Sequence, residues 1–206
     1  MRIIRLTPDN HPEAAQAAAE VLRAGEIVLY PTDTLYGLAV NALDPHALAR
    51  LRALKGREKK KPISVALPSV THIDAHAAMT PEAKSIAERH LPGPLTLVLP
   101  AYPHVPEELT LNGAVGIRVP NDPFVLALAE AFEHPFTATS ANRSGWATPT
   151  SIEEAILHFG PNIDHISLII DDGDRAGGTA STVISFGDNG PVILREGAIS
   201  REELGL

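Results

Sequence analysis

The chain has 206 residues, contains no cysteine and carries a formal net charge of −8. These values exclude disulfides and thiol catalysis, and the acidic balance argues against a protein that holds nucleic acid through its overall field. No apolar run approaches the ~20 residues that cross a bilayer, and the apolar stretch after Met1 is too short for a signal peptide. We therefore expect no membrane contact and a cytoplasmic location.

Strand-like and helix-like segments alternate from the N-terminus. Arg2–Leu6 has the pattern of a strand. The alanine-rich segment Pro12–Ala24 predicts a helix, and Gly25 ends it. Glu26–Tyr30 is a short apolar run that predicts a second strand, followed by turn chemistry at Pro31.

Capping patterns predict five further helices. Asp-Pro or Thr-Pro pairs place a capping oxygen before a proline in the first turn, so helices are expected to begin near 45, 81 and 123. The capping-box patterns Thr150-x-x-Glu153 and Ser200-x-x-Glu203 predict two more.

The remaining predicted strands are mostly continuous apolar runs, which is typical of strands covered on both faces. They are Pro62–Leu67, Leu95–Leu99, Val115–Val119, Phe136–Thr139, Ile166–Ile170, Ser181–Phe186 and Val192–Leu194. The pattern predicts an α/β fold: a twisted, mixed open sheet with helices packed on it. No composition break or internal repeat divides residues 1–206, so we expect a single domain, with ordered loops at Pro103–Gly113 and Arg143–Thr150.

Several familiar catalytic motifs are absent from the sequence. It has no G-x-x-x-x-G-K-[ST] phosphate loop, no G-x-G-x-x-G after its first strand and no G-x-S-x-G nucleophile elbow. His72 and His76 are four residues apart, but nothing nearby suggests a third ligand. A solvated histidine pair is therefore preferred over a zinc site.

Three short strings supply hydroxyls, amides and positive charge instead of a nucleophile. P-T-D-T-L-Y-G-L at 31–38 places hydroxyls at a strand end beside apolar side chains, which suits a small polar substrate with a methyl group. K-G-R at 55–57 offers two cations that suit phosphate oxygens. S-A-N at 140–142 ends a strand, where open α/β sheets bind ligands. Together they indicate a site for a polyanion such as a triphosphate.

Structural explanations stay open for several of these residues. Hydroxyls and amides in turns often bond their own backbone, and the basic residues Lys59 and Lys60 are typical of a solvated loop. Arg118 lies inside an apolar strand and needs an anionic partner, either a protein carboxylate or a substrate carboxylate. Arg195 ends a strand and belongs either to an ion pair or to a phosphate site.

Six strings occur in a fixed order between 31 and 199: P-T-D-T-L-Y-G-L, K-G-R, G-I-R-V-P, S-A-N-x-S-G, S-T-V-I and L-R-E-G-A-I. In this set and order they resemble the YrdC-like family of L-threonylcarbamoyladenylate synthases, over nearly the whole chain. The resemblance implies a nucleotidyltransferase that joins L-threonine, bicarbonate (or CO2) and ATP into threonylcarbamoyl-AMP and releases pyrophosphate. A separate threonylcarbamoyl transferase complex would then move the group onto an adenosine of tRNA.

The resemblance also implies roles for residues that match the family's strings. The L-threonine pocket would contain Thr34, Tyr36, Arg118, which clamps the carboxylate, and Ser181. The ATP site would contain Lys55, Arg57, Lys61, Ser140, Asn142, Thr148 and Arg195. The implied catalytic residues are Lys55, Arg57 and Ser140. Mg²⁺ would bridge the triphosphate without protein side chains, and a closing loop, 143–150 or 56–61, would exclude water.

Two other functions stay open at this point. One is a non-catalytic RNA-binding protein of the same fold, which would contact tRNA or the ribosome through Arg57–Lys61. The acidic balance and the 4% aromatic content argue against it, although a weak tRNA contact is compatible with a synthase. The other is a paralogous subgroup with a different small-molecule ligand, which lacks the K-x-R and S-x-N strings. Ala66 and Ala114 stand where many relatives are expected to carry a polar residue.

Overall fold

The computed structural model describes residues 1–56, 61–175, 178–187 and 190–206. These ranges contain six α-helices and twelve strands. The helices are α1 (His11–Arg23), α2 (Pro45–Lys55), α3 (Pro81–His90), α4 (Pro123–Phe132), α5 (Ile152–Phe159) and α6 (Arg201–Leu204). The strands are β1 (Arg2–Arg5), β2 (Ile27–Tyr30), β3 (Gly37–Ala39), β4 (Val65–Ala66), β5 (Leu95–Pro100), β6 (Thr110–Leu111), β7 (Ala114–Arg118), β8 (Phe136–Thr137), β9 (Thr139–Ser140), β10 (Ile166–Asp171), β11 (Thr182–Gly187) and β12 (Gly190–Arg195). Short 3-10 turns lie at Val70–Ala75, Glu107–Leu109 and Gly160–His165.

The described strands form two hydrogen-bonded sheets. The first has the order β1-β10-β2-β3-β9, with parallel pairing from β1 to β2 and antiparallel pairing from β2 to β9. The second has the order β12-β11-β5-β7-β4-β8, with β6 paired to β7, and it also mixes parallel and antiparallel pairs. The predicted mixed α/β fold is confirmed, but the strands are divided between two sheets rather than joined in one.

The chain passes from one sheet to the other within residues 136–140. β8 pairs with β4 in the second sheet, and β9 pairs with β3 in the first. The strand predicted over this stretch is interrupted at Ala138, whose N–H donates to the Ser64 carbonyl at 2.7 Å. The hydroxyl of Thr137 donates to the Leu38 carbonyl at 3.1 Å. Residues 136–140 therefore join the two sheets, and we call this segment the sheet junction.

β2 shows why the strands have continuous apolar sequences. Ile27 and Leu29 belong to the larger apolar cluster, which also receives α2, α3 and α5. Val28 and Tyr30 face the other way, into a second cluster with α1 and α4. Both faces of the strand are covered, as the absence of alternation predicts.

The three helices predicted from Asp-Pro and Thr-Pro pairs begin where the sequence predicts. The caps Asp44, Thr80 and Asp122 accept hydrogen bonds from backbone N–H groups in the first turns of α2, α3 and α4. The capping box between Ser200 and Glu203 is also present at α6. These starts are local chemistry, which explains why the sequence suffices to locate them.

The box predicted from Thr150 to Glu153 is wrong by one residue. Ser151 caps α5 by accepting from the N–H of Glu154 at 3.1 Å, and the Glu154 carboxylate accepts from the N–H of Thr150 at 2.7 Å. The same S/T-x-x-E pattern begins at both 150 and 151, so the sequence alone does not choose between the two.

The shortest strands depart most from the prediction. β4 occupies only two of the residues predicted as a strand over 62–67, and β3 and β6 lie in segments interpreted as turn or loop. Pairing of two or three residues depends on the neighbouring strand rather than on local propensity. Within the described ranges, no helix is both long enough and apolar enough to span a membrane.

Candidate functional site

A cavity of about 190 Å³ lies beside the sheet junction. Its wall includes Tyr30 and Gly37 from the first sheet, Val183 from the second, and Ala138 from the junction itself. Seven residues that the sequence assigns to substrate binding line this cavity together: Thr34, Tyr36, Arg118, Ser140, Thr148, Ser181 and Arg195. Positions that are far apart in the sequence thus converge on a single space.

Arg118 enters the cavity as half of a buried ion pair. Its Nη2 lies 2.7 Å from Oδ1 of Asp33, and the two side chains are 9% and 7% exposed. The second oxygen of Asp33 accepts from the N–H of Asn121 at 3.2 Å. Within the described part of the chain, the buried Nε of Arg118 has no hydrogen-bond partner. Asp33 therefore fixes the guanidinium of a residue that lines the cavity.

Arg195 is held by backbone and hydroxyl oxygens. Its Nη2 donates to the Ser181 carbonyl at 2.6 Å and to the Ser181 hydroxyl at 3.2 Å. The same hydroxyl lies 2.9 Å from the Thr96 hydroxyl. Burial lowers the pKa of Arg195, and the positive charge of Arg118 lowers it further. Among the described residues, no carboxylate lies within 4.0 Å of Arg195, so the cavity has two guanidinium groups and a single paired carboxylate beside it.

The turn that precedes β3 is both self-bonded and part of the cavity wall. The Thr32 hydroxyl accepts from the N–H of Thr34 at 3.1 Å and lies 2.9 Å from the Thr34 hydroxyl. The Tyr36 hydroxyl donates to the Gly173 carbonyl at 2.7 Å and accepts from the N–H of Asp172 at 3.0 Å. Burial raises the pKa of Tyr36 to about 12. Tyr36 thus shapes the wall with its ring, while its hydroxyl is engaged with the backbone.

The segment that carries Ser181 passes directly against this turn. A Cβ on Gly178 would lie 2.1 Å from the Thr34 carbonyl oxygen, so only glycine fits the approach. A Cβ on Gly197 would likewise lie 2.1 Å from the Ala180 carbonyl oxygen. These two contacts bring Ser181 and Arg195 to the cavity.

Ser140 is oriented by residues behind the wall. Its hydroxyl donates to Oδ1 of Asn142 at 2.5 Å, and Nδ2 of Asn142 donates to the Trp146 carbonyl at 2.5 Å. Lys55 is 1% exposed, and its Nζ donates to the carbonyls of Ser140 and Asn142, the latter at 2.8 Å. Lys55 and Asn142 do not line the cavity. They hold the backbone that presents Ser140.

Of the two remaining residues expected at the ATP site, only Lys61 is among the described residues. Lys61 is exposed and outside the cavity lining, and its carbonyl accepts from Arg52 at 3.2 Å. Arg57 lies outside the described residues. Ala66 is in the apolar core, and neither it nor Ala114 lines the cavity.

Four polar residues at this site were missed by the sequence interpretation as ligand or positioning groups: Thr32, Asp33, Ser64 and Thr96. Thr32 and Asp33 belong to a string that was singled out, so their position was signalled although their partners were not. Ser64 and Thr96 are isolated hydroxyls in apolar segments, and no local pattern marks them.

A family model described as "Telomere recombination", for the Sua5, YciO and YrdC proteins, matches residues 20–197. A Bacillus subtilis protein named threonylcarbamoyl-AMP synthase is 38% identical over 199 residues, which cover 95% of this chain and 56% of that protein. A Methanocaldococcus jannaschii protein named putative threonylcarbamoyl-AMP synthase is 32% identical over 204 residues, covering 99% of this chain and 95% of that protein. The chain thus spans about half the length of the first relative and nearly all of the second.

A solved structure has the same fold over nearly the whole chain. The crystal structure of P. abyssi Sua5 complexed with L-threonine superposes with a TM-score of 0.89 at 37% identity, covering 98% of this chain and 59% of that chain. Together with the family model, this likeness confirms the resemblance inferred from the ordered strings. The chain belongs to the Sua5/YciO/YrdC family.

Proposed function

We propose that this chain joins L-threonine, bicarbonate or CO2, and ATP into threonylcarbamoyl-AMP and releases pyrophosphate. The observation that carries the proposal is a cavity lined by two guanidinium groups, Arg118 and Arg195, and by several hydroxyls, with no carboxylate among its described lining residues. Such a lining suits a ligand with a carboxylate and phosphates. The names of the Bacillus subtilis and Methanocaldococcus jannaschii relatives, and the L-threonine in the P. abyssi Sua5 structure, support the same activity.

The amino acid is assigned to the side of the cavity formed by Arg118 and the turn before β3. Arg118, held in place by Asp33, would bind the threonine carboxylate. Leu35 and Val183 supply an apolar wall for the methyl group, and Thr34 and Ser181 supply hydroxyls for the polar atoms. L-Threonine would fill this side without exposing its methyl group to water.

The phosphates are assigned to the side of Arg195, Ser140 and Thr148. At about 190 Å³ the cavity is smaller than the roughly 300–1,000 Å³ of sites that enclose drug-sized ligands, so the nucleoside would lie at its mouth. Lys55 would contribute through the backbone of Ser140. Arg57 and Lys61 as further phosphate ligands stay predictions, as do the downstream transferase complex and the cytoplasmic location.

The chemistry requires positioning more than a protein nucleophile. The threonine amine loses a proton and attacks CO2 to give a carbamate, and a carbamate oxygen then attacks the α-phosphorus as pyrophosphate leaves. The two guanidinium groups would neutralise the charge that develops on the phosphates, and the closed wall would limit hydrolysis of the product. None of the described lining residues is a carboxylate, so Mg²⁺ would be held by phosphate oxygens rather than by protein side chains.

The direct test is incubation with ATP, bicarbonate and L-threonine, followed by detection of the adenylate by mass. Ser140→Ala and Arg195→Gln should each lower the rate of pyrophosphate release about 30- to 1,000-fold, the loss expected for one donor to a transition-state charge. Arg201→Gln, at the exposed start of α6, is the matched control and should retain the rate. Absence of the adenylate with the wild-type protein, or full activity in both site variants, would overturn the proposal.

A further inference from the structure

The loop that follows Ser140 presents the chain's one tryptophan to solvent. Trp146 is 53% exposed. The guanidinium carbon of Arg143 lies 5.5 Å from the centroid of the Trp146 ring. On α5, the imidazole of His158 meets the same ring edge-on, with centroids 5.4 Å apart. The indole is thus held beside a cation and an imidazole, with about half of its surface open.

The turn that carries Trp146 is fixed by hydrogen bonds. The N–H of Ser144 donates to the Lys55 carbonyl at 2.8 Å, and the N–H of Trp146 donates to the Arg143 carbonyl at 3.0 Å. The carbonyl of Trp146 accepts from Nδ2 of Asn142 at 2.5 Å. An aromatic group held in this way loses little further conformational entropy when a ligand stacks on it.

The position of this turn connects it to the cavity. Ser140 and Thr148 both line the cavity, and Trp146 lies between them in the chain. Asn142 contacts Trp146 on one side and the hydroxyl of Ser140 on the other. The turn that carries the indole therefore begins and ends at residues of the cavity wall.

An exposed indole with a guanidinium beside it is the chemistry that recognises nucleobases, because every base has a π-face that stacks on aromatic rings and on arginine. We propose that Trp146 and Arg143 form the stacking surface for the base of the nucleotide whose phosphates occupy the cavity. This inference rests on the proposed function for the presence of a nucleotide, and it adds the residues that hold the base.

The single tryptophan allows a direct test by intrinsic fluorescence. ATP should quench the emission of Trp146 with a saturable dependence on concentration. Inorganic tripolyphosphate, which carries the charge without a base, should bind by calorimetry but leave the emission unchanged. Equal quenching by both ligands would overturn the inference, because it would report a movement of the loop rather than stacking.

Substitutions separate stacking from packing. Trp146→Leu should weaken ATP binding about 5- to 100-fold, the range measured for loss of one base–aromatic stack, and should leave tripolyphosphate binding unchanged. Trp146→Phe keeps a ring and should recover most of the ATP affinity. Tyr102→Leu, which removes an exposed aromatic group outside the loop, is the control and should have no effect. Unchanged ATP affinity in Trp146→Leu would refute the stacking role.

The outcomes also distinguish this inference from the proposed function. Quenching by ATP that Trp146→Leu weakens, without formation of the adenylate, would support the base site and refute the synthase. Adenylate formation with an unchanged KM for ATP in Trp146→Leu would support the synthase and refute the base site. Quenching by a single-stranded RNA oligonucleotide with a steep salt dependence, and none by ATP, would assign the surface to RNA and overturn the inference.

Discussion

Replacing Asp33 by Asn removes one charge from the buried pair that orients Arg118, while conserving the size of the side chain. The pair is 2.7 Å long, and its members are 9% and 7% exposed. Removing one partner of such a pair costs about 3–5 kcal/mol because the other charge stays buried. The amide oxygen of Asn can still accept from Arg118. We therefore expect Asp33→Asn to lower the free energy of unfolding by about 2–3 kcal/mol, close to the value of a hydrogen bond to a charged group.

Urea denaturation of the wild-type and Asp33→Asn proteins at neutral pH measures this difference. The m-value should be unchanged, since the surface exposed on unfolding is the same. In a thermal melt, the loss corresponds to a fall in Tm of about 4–12 °C for a chain of this size. L-Threonine should also bind more weakly, because the guanidinium that would receive its carboxylate is no longer fixed.

Asp9→Asn is the matched control for this substitution. Asp9 is exposed, and a surface change of this kind shifts stability by no more than about 0.5 kcal/mol. If Asp33→Asn unfolded at the same urea concentration as Asp9→Asn, the reasoning that the Arg118–Asp33 pair supports the cavity wall would be refuted.

Three further predictions concern residues that line the cavity or support its wall. Burial raises the pKa of Tyr36 from 10.0 to about 12. Between these pH values the native state keeps a proton that the unfolded chain releases. The free energy of unfolding therefore falls as the pH rises from 10.0 to about 12. Tyr36→Phe should reduce that fall by about 1.4 kcal/mol per pH unit in urea titrations. Gly178→Ala should weaken L-threonine binding in calorimetry, because its Cβ would lie 2.1 Å from the Thr34 carbonyl oxygen. Gly187→Ala should not, because no atom of the described residues lies within 4 Å of the position of its Cβ. Lys55→Met should lower the free energy of unfolding by about 3 kcal/mol and speed amide exchange in the peptide 140–146, because buried carbonyls lose their donor. The first prediction fails if the stability of Tyr36→Phe has the same pH dependence as that of the wild-type protein. The second fails if the two alanine variants bind L-threonine equally well. The third fails if amide exchange in the peptide 140–146 is unchanged in Lys55→Met.

The sequence predicts most accurately what depends on neighbours in the chain. Asp44 and Asp122 are recognisable as caps because the oxygen, the following proline and the helix are contiguous. The apolar strand β2 is likewise identified by its composition. The convergence of Arg118 and Ser140 was predicted only because both lie in strings that the family keeps in order, and the cavity brings them together.

What the sequence could not supply depends on pairings between distant segments. Asp33 is in a string that was singled out, yet its partner Arg118 lies 85 residues away. Lys55 was assigned to phosphates from its charge, whereas the structure buries it against the carbonyls of Ser140 and Asn142. The direction of a side chain at a helix end is set by what packs over it. The division of the predicted sheet into two has the same origin, because the change of pairing at Ala138 is a tertiary event.

The sheet junction has a consequence for how this molecule responds to its ligands. Arg118 belongs to the second sheet and Ser140 to the first, and a stretch of only five residues, 136–140, carries the chain between them. A molecule that contacts both side chains would link the two sheets noncovalently, in addition to the sheet junction. A bound ligand would then oppose separation of the two sheets. It would raise the free energy of unfolding by an amount set by the ratio of ligand concentration to Kd.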